Sequence, residues 1–421
     1  MNNRICNYSP GYPQKYKKIV WLCHYVNSEI GEIIGHKDIS NNIAPWITDM
    51  VKLFENKEDV QIYIISPNYY NNKNINLTRN GVNYCFYKYT SFDIGIVYNQ
   101  IVMLLTNYSH QKRNIATILK RIQPDLIHLF GSENTSYSVG FNKLKSEYRS
   151  LITIQGFVSS AATKRNIFKL IVQKERVKYE RLINSFCNYY ANGTQDAIDV
   201  LKKRFNSKAA VFNFQLPTYE NIDIEIGDIK KKYDIVFFAR VTEAKGIEDL
   251  LNAVAILKAK IGDISLVVVG GATKSYSDFL LKKCKMLNIE KNVTYAGFQE
   301  TQSKAHEIVA SAKVFVLPTH FDGMPGSLRE TMKLGVPIIA NNVGGIPELN
   351  SEKECVKLVP KKNIQQLADT IFEVLNNKNL YDKLLNNSIE LINTKFSNQN
   401  IYNNVIDIYD KVITQYEKDR L

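Results

Sequence analysis

Asp322-Gly323-Met324-Pro325-Gly326-Ser327-Leu328-Arg329-Glu330 follows an apolar run, Val314-Phe315-Val316-Leu317-Pro318, and leads into a segment that closes at Leu334-Gly335. The run reads as a strand, the glycines as a turn and the closing segment as a helix. The first N–H groups of a helix have no internal partners, so this order of elements builds an anion site. Glu330 stands one turn into the helix, where a carboxylate accepts hydrogen bonds from a ribose. The stretch points to a nucleotide bound by an α/β fold.

The same alternation extends in both directions. Downstream of residue 232, strand-like runs fall at 233–239, 266–269, 293–296, 314–317, 336–340 and 356–359, with helical segments at 247–260 and 278–287. Upstream, runs at 19–23, 60–66, 82–87, 126–130, 151–154 and 188–191 alternate with helical segments at 43–54, 111–122 and 167–183. Several runs are apolar almost without interruption, as in parallel sheets covered on both faces. Two βα series predict two doubly wound, Rossmann-like domains, with ligands at the carboxyl ends of their strands and a cleft between them. The expected boundaries are 1–217 for the first domain, 218–397 for a second, nucleotide-binding domain and 398–421 for a C-terminal helix. Residues 218–232 are polar and suit a linker. The tail carries Ile401, Val405, Ile408, Val412 and Ile413 at helical spacing and is expected to pack back on the first domain.

The 421 residues are 45% hydrophobic and 23% charged, ordinary globular values at a length that favours two domains. A net charge of +13 favours phosphates, nucleic acid or an anionic membrane surface, or else reflects a solvated Lys-rich surface. Six scattered cysteines show no metal-ligand spacing, which predicts a reduced, cytoplasmic protein. Residues 1–13 lack the apolar core of a signal peptide, and no run reaches the roughly 20 apolar residues of a spanning helix.

Arg240 falls just after a strand, and Lys245-Gly246 sits where the next helix begins. Two fixed cations there would face a pyrophosphate, or would be ordinary surface charges. Gly270-Gly271 and Gly297 also follow strands; each admits a close ligand or simply turns the chain. Gly344-Gly345-Ile346-Pro347-Glu348 is a second Gly turn, with Glu348 as a cleft residue or a helix-start acid.

Taken in order, these motifs resemble the large retaining glycosyltransferase family 4, glycosyl transferases group 1, which has the GT-B fold. The likeness is close over residues 233–350 and is one of layout in the first half. It implies that Arg240 and Lys245 hold a donor diphosphate, that Glu330 binds the ribose and that Asp322 contacts the transferred sugar. Backbone amides at Gly326, Ser327 and Leu328, with Gly271 and Gly297 nearby, would meet the donor. A departing nucleoside diphosphate builds negative charge, which fixed cations and helix amides stabilise. Neither a cofactor nor a bound metal is implied. Asp322 stands where the family commonly has Glu, one methylene longer. Gly31 and Gly35 lie where the family has a Gly-rich loop near the donor. His128, in Pro124-Asp-Leu-Ile-His128-Leu-Phe-Gly131, matches a segment that places a His in the cleft, though Phe130 stands where a second His is frequent; a packed core histidine is the other reading. Glu133 and Gln155 are acceptor-side candidates.

The activity so implied is sugar transfer, with retention, from a UDP- or GDP-linked donor to a saccharide or lipid-linked saccharide, in surface polysaccharide assembly such as capsule or lipopolysaccharide. Basic residues between Lys164 and Arg181, interleaved with Ile167, Phe168, Leu170 and Ile171, suit peripheral contact with anionic lipid or a helix with its apolar stripe in the core. A nucleotide-sugar epimerase shares the two-domain layout. A nucleic-acid binder would explain the charge, but no RNA-binding motif or zinc spacing supports it. A dinucleotide dehydrogenase would need G-x-G-x-x-G after the first strand, and the chain lacks it.

Overall fold

The computed structural model of the protein describes residues 16–36, 45–71, 73–90, 96–144, 147–158, 167–217 and 229–418. The N-terminal stretch 1–13, Lys164, Arg165 and linker residues 218–228 lie outside them.

Eight strands form the first sheet: β1 (Lys17–Leu22), β2 (Val60–Asn68), β3 (Ile75–Arg79), β4 (Val82–Lys88), β5 (Leu126–Phe130), β6 (Ser150–Thr153), β7 (Tyr189–Asn192) and β8 (Ala210–Asn213). Their order is β3-β4-β2-β1-β5-β6-β7-β8. β1 pairs in parallel with β2 and β5, β2 with β4, and β5 with β6, while β3 runs antiparallel to β4. The connecting helices are α1 (Ser28–Ile34), α2 (Pro45–Phe54), α3 (Ile96–Leu105), α4 (Ser109–Ile122), α5 (Thr135–Leu144), α6 (Ile167–Phe186) and α7 (Gln195–Arg204). β5 is buried at every residue, which accounts for its unbroken apolar run.

Two features differ from the sequence reading. The β3–β4 hairpin turns on Asn80 and Gly81, both at positive φ (47° and 79°), as a tight hairpin between right-twisted strands requires. Residues 27–35, expected as a Gly-rich loop, instead form α1. Asn27 caps it by accepting from Ile30 N at 2.8 Å, and Gly35 closes it at φ 81°.

The second sheet contains β9 (Tyr233–Phe238), β10 (Leu266–Val269), β11 (Val293–Gly297), β12 (Ala312–Leu317), β13 (Ile338–Asn341) and β14 (Val356–Val359). The order is β11-β10-β9-β12-β13-β14, parallel throughout. Helices α8 (Ile247–Ile261), α9 (Lys274–Met286), α10 (Gln302–Ala310), α11 (Gly326–Lys333), α12 (Ile364–Asn376), α13 (Lys378–Asn393) and α14 (Asn398–Lys418) complete the described chain. The strand interiors bury Ile235, Val236, Phe237, Val314, Phe315, Val316 and Leu317 completely. Each such side chain stabilises the fold by about 1.5–3 kcal/mol. α12 adds Leu367, Ile371 and Val374 from one face.

The chain divides into two compact units, Met1–Tyr190 with Tyr409–Leu421, and Ala191–Ile408. The division is earlier than the boundary expected after Pro217. Gln195 N donates to Glu348 Oε1 at 2.7 Å, and Arg329 Nη1 donates to the carbonyl of Leu216, so residues 191–217 hold to later parts of the chain. The end of α14 joins the first unit: Trp21 Nε1 donates to Tyr409 Oη at 2.9 Å, and Arg149 pairs with Glu417 at 2.9 Å. Among the described residues, no helix is long and apolar enough to cross a membrane.

Candidate functional site

In the second sheet β9 is followed outward by β10 and β11, while β12 lies on its other side and leads to β13 and β14. The loops after β9 and β12 therefore part in opposite directions, and such a switch point opens a crevice at the carboxyl ends of the strands.

Three loops interlock there. After β9 the chain makes a short 3-10 turn, Glu243–Lys245, closed by Gly246 at φ 75°. A Cβ on Gly246 would lie 1.8 Å from the carbonyl oxygen of Pro318, so only glycine lets this loop reach the end of β12. His320 N donates to Ala244 O at 2.8 Å, and Asn341 Nδ2 donates to Thr319 O at 3.1 Å. The β13 loop closes in the same way: Gly345 N donates to Gly323 O at 2.7 Å, and a Cβ on Gly344 (φ 55°) would sit 1.6 Å from Asp322 O.

This framework brings the expected charged residues together. Lys245 Nζ pairs with Asp322 Oδ2. Arg240 is exposed just past β9. Glu330 stands on α11 with its side chain 18% exposed. Its Oε2 accepts from Gln302 Nε2 and lies 2.9 Å from His306 Nε2. Its Oε1 lies 3.6 Å from the point where a Cβ on Gly326 would be. His320 Nε2 meets Asp249 Oδ2 at 2.8 Å, which ties the β12 loop to α8. Gly326 and Ser327 open α11, but Leu328 N donates to Pro325 O at 3.2 Å and its side chain is fully buried. The Leu328 amide is therefore spent inside the turn and does not match the phosphate contact expected of it.

The glycines divide by role. Gly270, at φ 139°, has Ala239 O 1.9 Å from its would-be Cβ, a packing need. Gly271 has open space apart from Phe298, 3.8 Å away, and Gly297 turns the chain at φ 70°. Gly31 departs from its expected role. It lies inside α1, and its N–H donates to Asn27 O at 2.8 Å, so the helix consumes the amide that a phosphate would need.

His128 also departs from its catalytic expectation. It is 0% exposed in the middle of β5. Its Nδ1 bonds Tyr409 Oη at 2.9 Å and its Nε2 bonds Thr153 Oγ1 at 2.7 Å. Burial pushes its pKa down to about 3, so the ring is neutral and ties β5 to β6 and α14. At the end of the same strand, the Glu133 carboxylate folds back over Gly131, whose would-be Cβ lies 2.4 Å from Oε1. Oε2 of Glu133 has no hydrogen-bond partner among the described residues. Burial pushes this carboxyl up to about 7, against the pull of Arg176 and with help from Glu180. Gln155 is exposed beyond β6. His24, past the end of β1, is pushed down to about 4 by burial and by His36.

Sequence reading missed Gln302 and His306. They belong to no motif, and the one available signal was a polar pair four apart on a helix just before β12. Among the described residues, no group of three or more His, Cys, Asp or Glu is placed to hold a metal ion.

Residues 219–391 match the family described as glycosyl transferases group 1. The chain is 26% identical over 182 residues to 2-deoxystreptamine N-acetyl-D-glucosaminyltransferase of Niallia circulans, covering 42% of this chain and 45% of that one. It is 23% identical over 207 residues to the capsular polysaccharide biosynthesis glycosyltransferase CapM of Staphylococcus aureus, covering 47% and 53%. The chain thus spans about half the length of the curated relatives it matches. Among solved structures, sucrose-phosphate synthase of Thermosynechococcus elongatus superposes with a TM-score of 0.70 at 16% identity, covering 95% of this chain and 100% of that one. That likeness is one of fold, GT-B with two doubly wound units.

Proposed function

We propose that the protein is a retaining glycosyltransferase that moves a sugar from a UDP- or GDP-linked donor to a saccharide or lipid-linked saccharide in surface polysaccharide assembly. One observation carries this reading: Lys245 and Asp322 stand on interlocked loops at the switch point of the second sheet, with Glu330 on the helix that follows. In this reading Arg240 and Lys245 meet the diphosphate, with the first amides of α11 at Gly326 and Ser327. Glu330 takes the ribose, and Asp322 takes hydroxyls of the transferred sugar. The bond from the sugar's anomeric carbon to the phosphate oxygen breaks, and the acceptor oxygen attacks from the same face. Its proton passes to the departing phosphate. Positive charge for the leaving group comes from the two cations and the helix, without a bound metal. A relative named for capsular polysaccharide biosynthesis supports the setting.

Glu133 and Gln155 lie at the carboxyl ends of β5 and β6 and serve the acceptor. The five described cysteines are buried free thiols, which suits a cytoplasmic protein. α6 exposes Ile167, Leu170 and Ile171 beside Lys169, Lys174 and Arg181, which supports peripheral contact with anionic lipid. Binding to vesicles with and without phosphatidylglycerol, compared in a Lys169→Glu, Lys174→Glu variant, tests that contact.

The donor reading is tested by thermal unfolding with a panel of nucleoside diphosphates and their sugars. A ligand at 100 times its Kd adds about 2.7 kcal/mol of stability. The expected result is a shift with one base, lost in Glu330→Ala. No shift with any nucleotide would overturn the donor site.

A further inference from the structure

We propose that His306 and Gln302 are positioning residues that fix the Glu330 carboxylate, turning a single oxygen, Oε1, outward for the ribose. The proposal rests on the donor reading of this site and goes beyond it, because neither residue belongs to the motifs that define the site.

α10 starts at Gln302, with Thr301 Oγ1 accepting from Lys304 N at 3.3 Å. Residues four apart share a helix face, so Gln302 and His306 reach across to α11 together. Both ring and amide converge on one atom, Glu330 Oε2, with His306 Nε2 at 2.9 Å. Gln302 Nε2 lies 3.2 Å from His306 Nε2, so the three groups form a closed triangle. A carboxylate only accepts, and therefore His306 presents a protonated Nε2 to it. The imidazole is 0% exposed and packs edge-on against Phe238 at the end of β9, with ring centroids 6.3 Å apart. It is thus clamped between the strand that leads to Arg240 and the helix that carries Glu330.

The consequence is a carboxylate with two unequal oxygens. Oε2 is engaged on the buried side by two donors. Oε1 lies over the first residue of α11, at Gly326, where the helix presents its N-terminal end. A glutamate free to turn would lose that freedom on binding, and one already held does not. His306 is 0% exposed, so its effect on a nucleotide runs through Glu330.

The experiment measures binding of UDP and GDP, and of their 2′,3′-dideoxy forms, to wild type, His306→Ala, His306→Gln and Gln302→Ala by calorimetry. Wild type should prefer the hydroxylated form of one nucleotide by at least tenfold. His306→Ala should erase most of that preference by weakening the hydroxylated form about tenfold while leaving the dideoxy form within twofold. His306→Gln, which restores an amide donor, should recover at least half of the preference on a logarithmic scale. Gln302→Ala should cost about threefold in the same selective manner, and its partly exposed site keeps the test intact if His306→Ala does not fold. Equal weakening of both forms, or no change, would overturn the positioning role while leaving the ribose contact standing. If wild type binds neither nucleotide, or binds both forms equally, the ribose reading fails and the proposal falls with it.

Discussion

The carboxyl ends of the two sheets treat ionisable groups in opposite ways. In the second sheet the carboxylates meet basic side chains and stay partly open to solvent: Asp322 with Lys245, Asp249 with His320, and Glu330 with the buried ring of His306. In the first sheet they are buried or half-buried, and loss of water dominates their titration. His128 is pushed down to about 3, His24 down to about 4, and Glu133 up to about 7. Fixed charges facing solvent suit a charged ligand such as a diphosphate, because they cost no reorganisation when it arrives. A desolvated carboxyl with an unbonded oxygen, as at Glu133 among the described residues, suits an uncharged hydroxyl, because no ion must be stripped of water. Under the proposed function, the two ends would suit the two halves of a sugar transfer, an anionic donor and a neutral acceptor.

The sharpest way to break this comparison is at His128. Replacing it with Ala leaves Thr153 Oγ1 without that partner, removes one bond from Tyr409 and opens a cavity in β5. A loss of about 3 kcal/mol in unfolding free energy is expected. Turnover per folded molecule should stay within twofold. A hundredfold loss of turnover at unchanged stability would instead place His128 in the chemistry, and the first sheet would hold a catalytic group in its core.

Glu133 tests the same contrast through pH. Its folded carboxyl titrates near 7 because burial favours the neutral form, against an ordinary value of 4.5. Between those values the folded state binds more protons than the unfolded one, so this group's contribution to stability falls as pH rises from about 4.5 to 7. Relative to Glu133→Gln, wild type should lose on the order of 2–3 kcal/mol across that window. Titration of His128 acts with the opposite sign, costing stability as pH falls from 6.5 toward 3, and cancels in the difference. Chemical denaturation of both proteins from pH 4 to 8 reads the slope. A flat difference would mean that Glu133 is solvated and charged.

On the donor side, Lys245→Ala should lower sugar transfer at least tenfold, about 1.4 kcal/mol in barrier. Turnover with the nucleotide sugar that stabilises wild type is the measurement. Near-normal rates would detach the Lys245–Asp322 pair from the reaction.

The unequal legibility of the two halves follows from how each is built. The second sheet was readable because its loops need residues with no substitute: glycine at 246 and 344, where a Cβ would meet a carbonyl, and acids at fixed spacing on a turn and a helix. Such constraints are local, so a short stretch displays them. The first sheet owes its features to distant partners. The fate of His128 is decided by Tyr409, 281 residues away, and no local pattern announces that. Gly31 was misread because the resemblance puts a Gly-rich loop after the first strand, whereas capping by Asn27 and the apolar spacing of Ile30 and Ile34 favour a helix. His306 was missed for the converse reason. Its importance lies in one neighbour on another helix, and the sequence separates them by 24 residues.

The smallest expected effect has an unusual sign. Asp322 pairs with Lys245, so a diphosphate that reaches this cation would share it with a carboxylate. Asp322→Asn removes the competing charge and keeps the side chain's size. Free nucleoside diphosphate should then bind two- to fivefold more tightly, since an exposed to half-buried ion pair contributes about 1 kcal/mol or less. Sugar transfer should nevertheless drop, because the hydroxyl contacts assigned to Asp322 need a strong acceptor. A protein that binds product better and turns over worse would separate the two duties of this aspartate, holding the lysine before the donor arrives and holding the sugar afterwards. If Asp322→Asn weakens the free diphosphate instead, the pair is a structural brace for the β12 loop, and the charge at this end of the sheet is not poised for the donor.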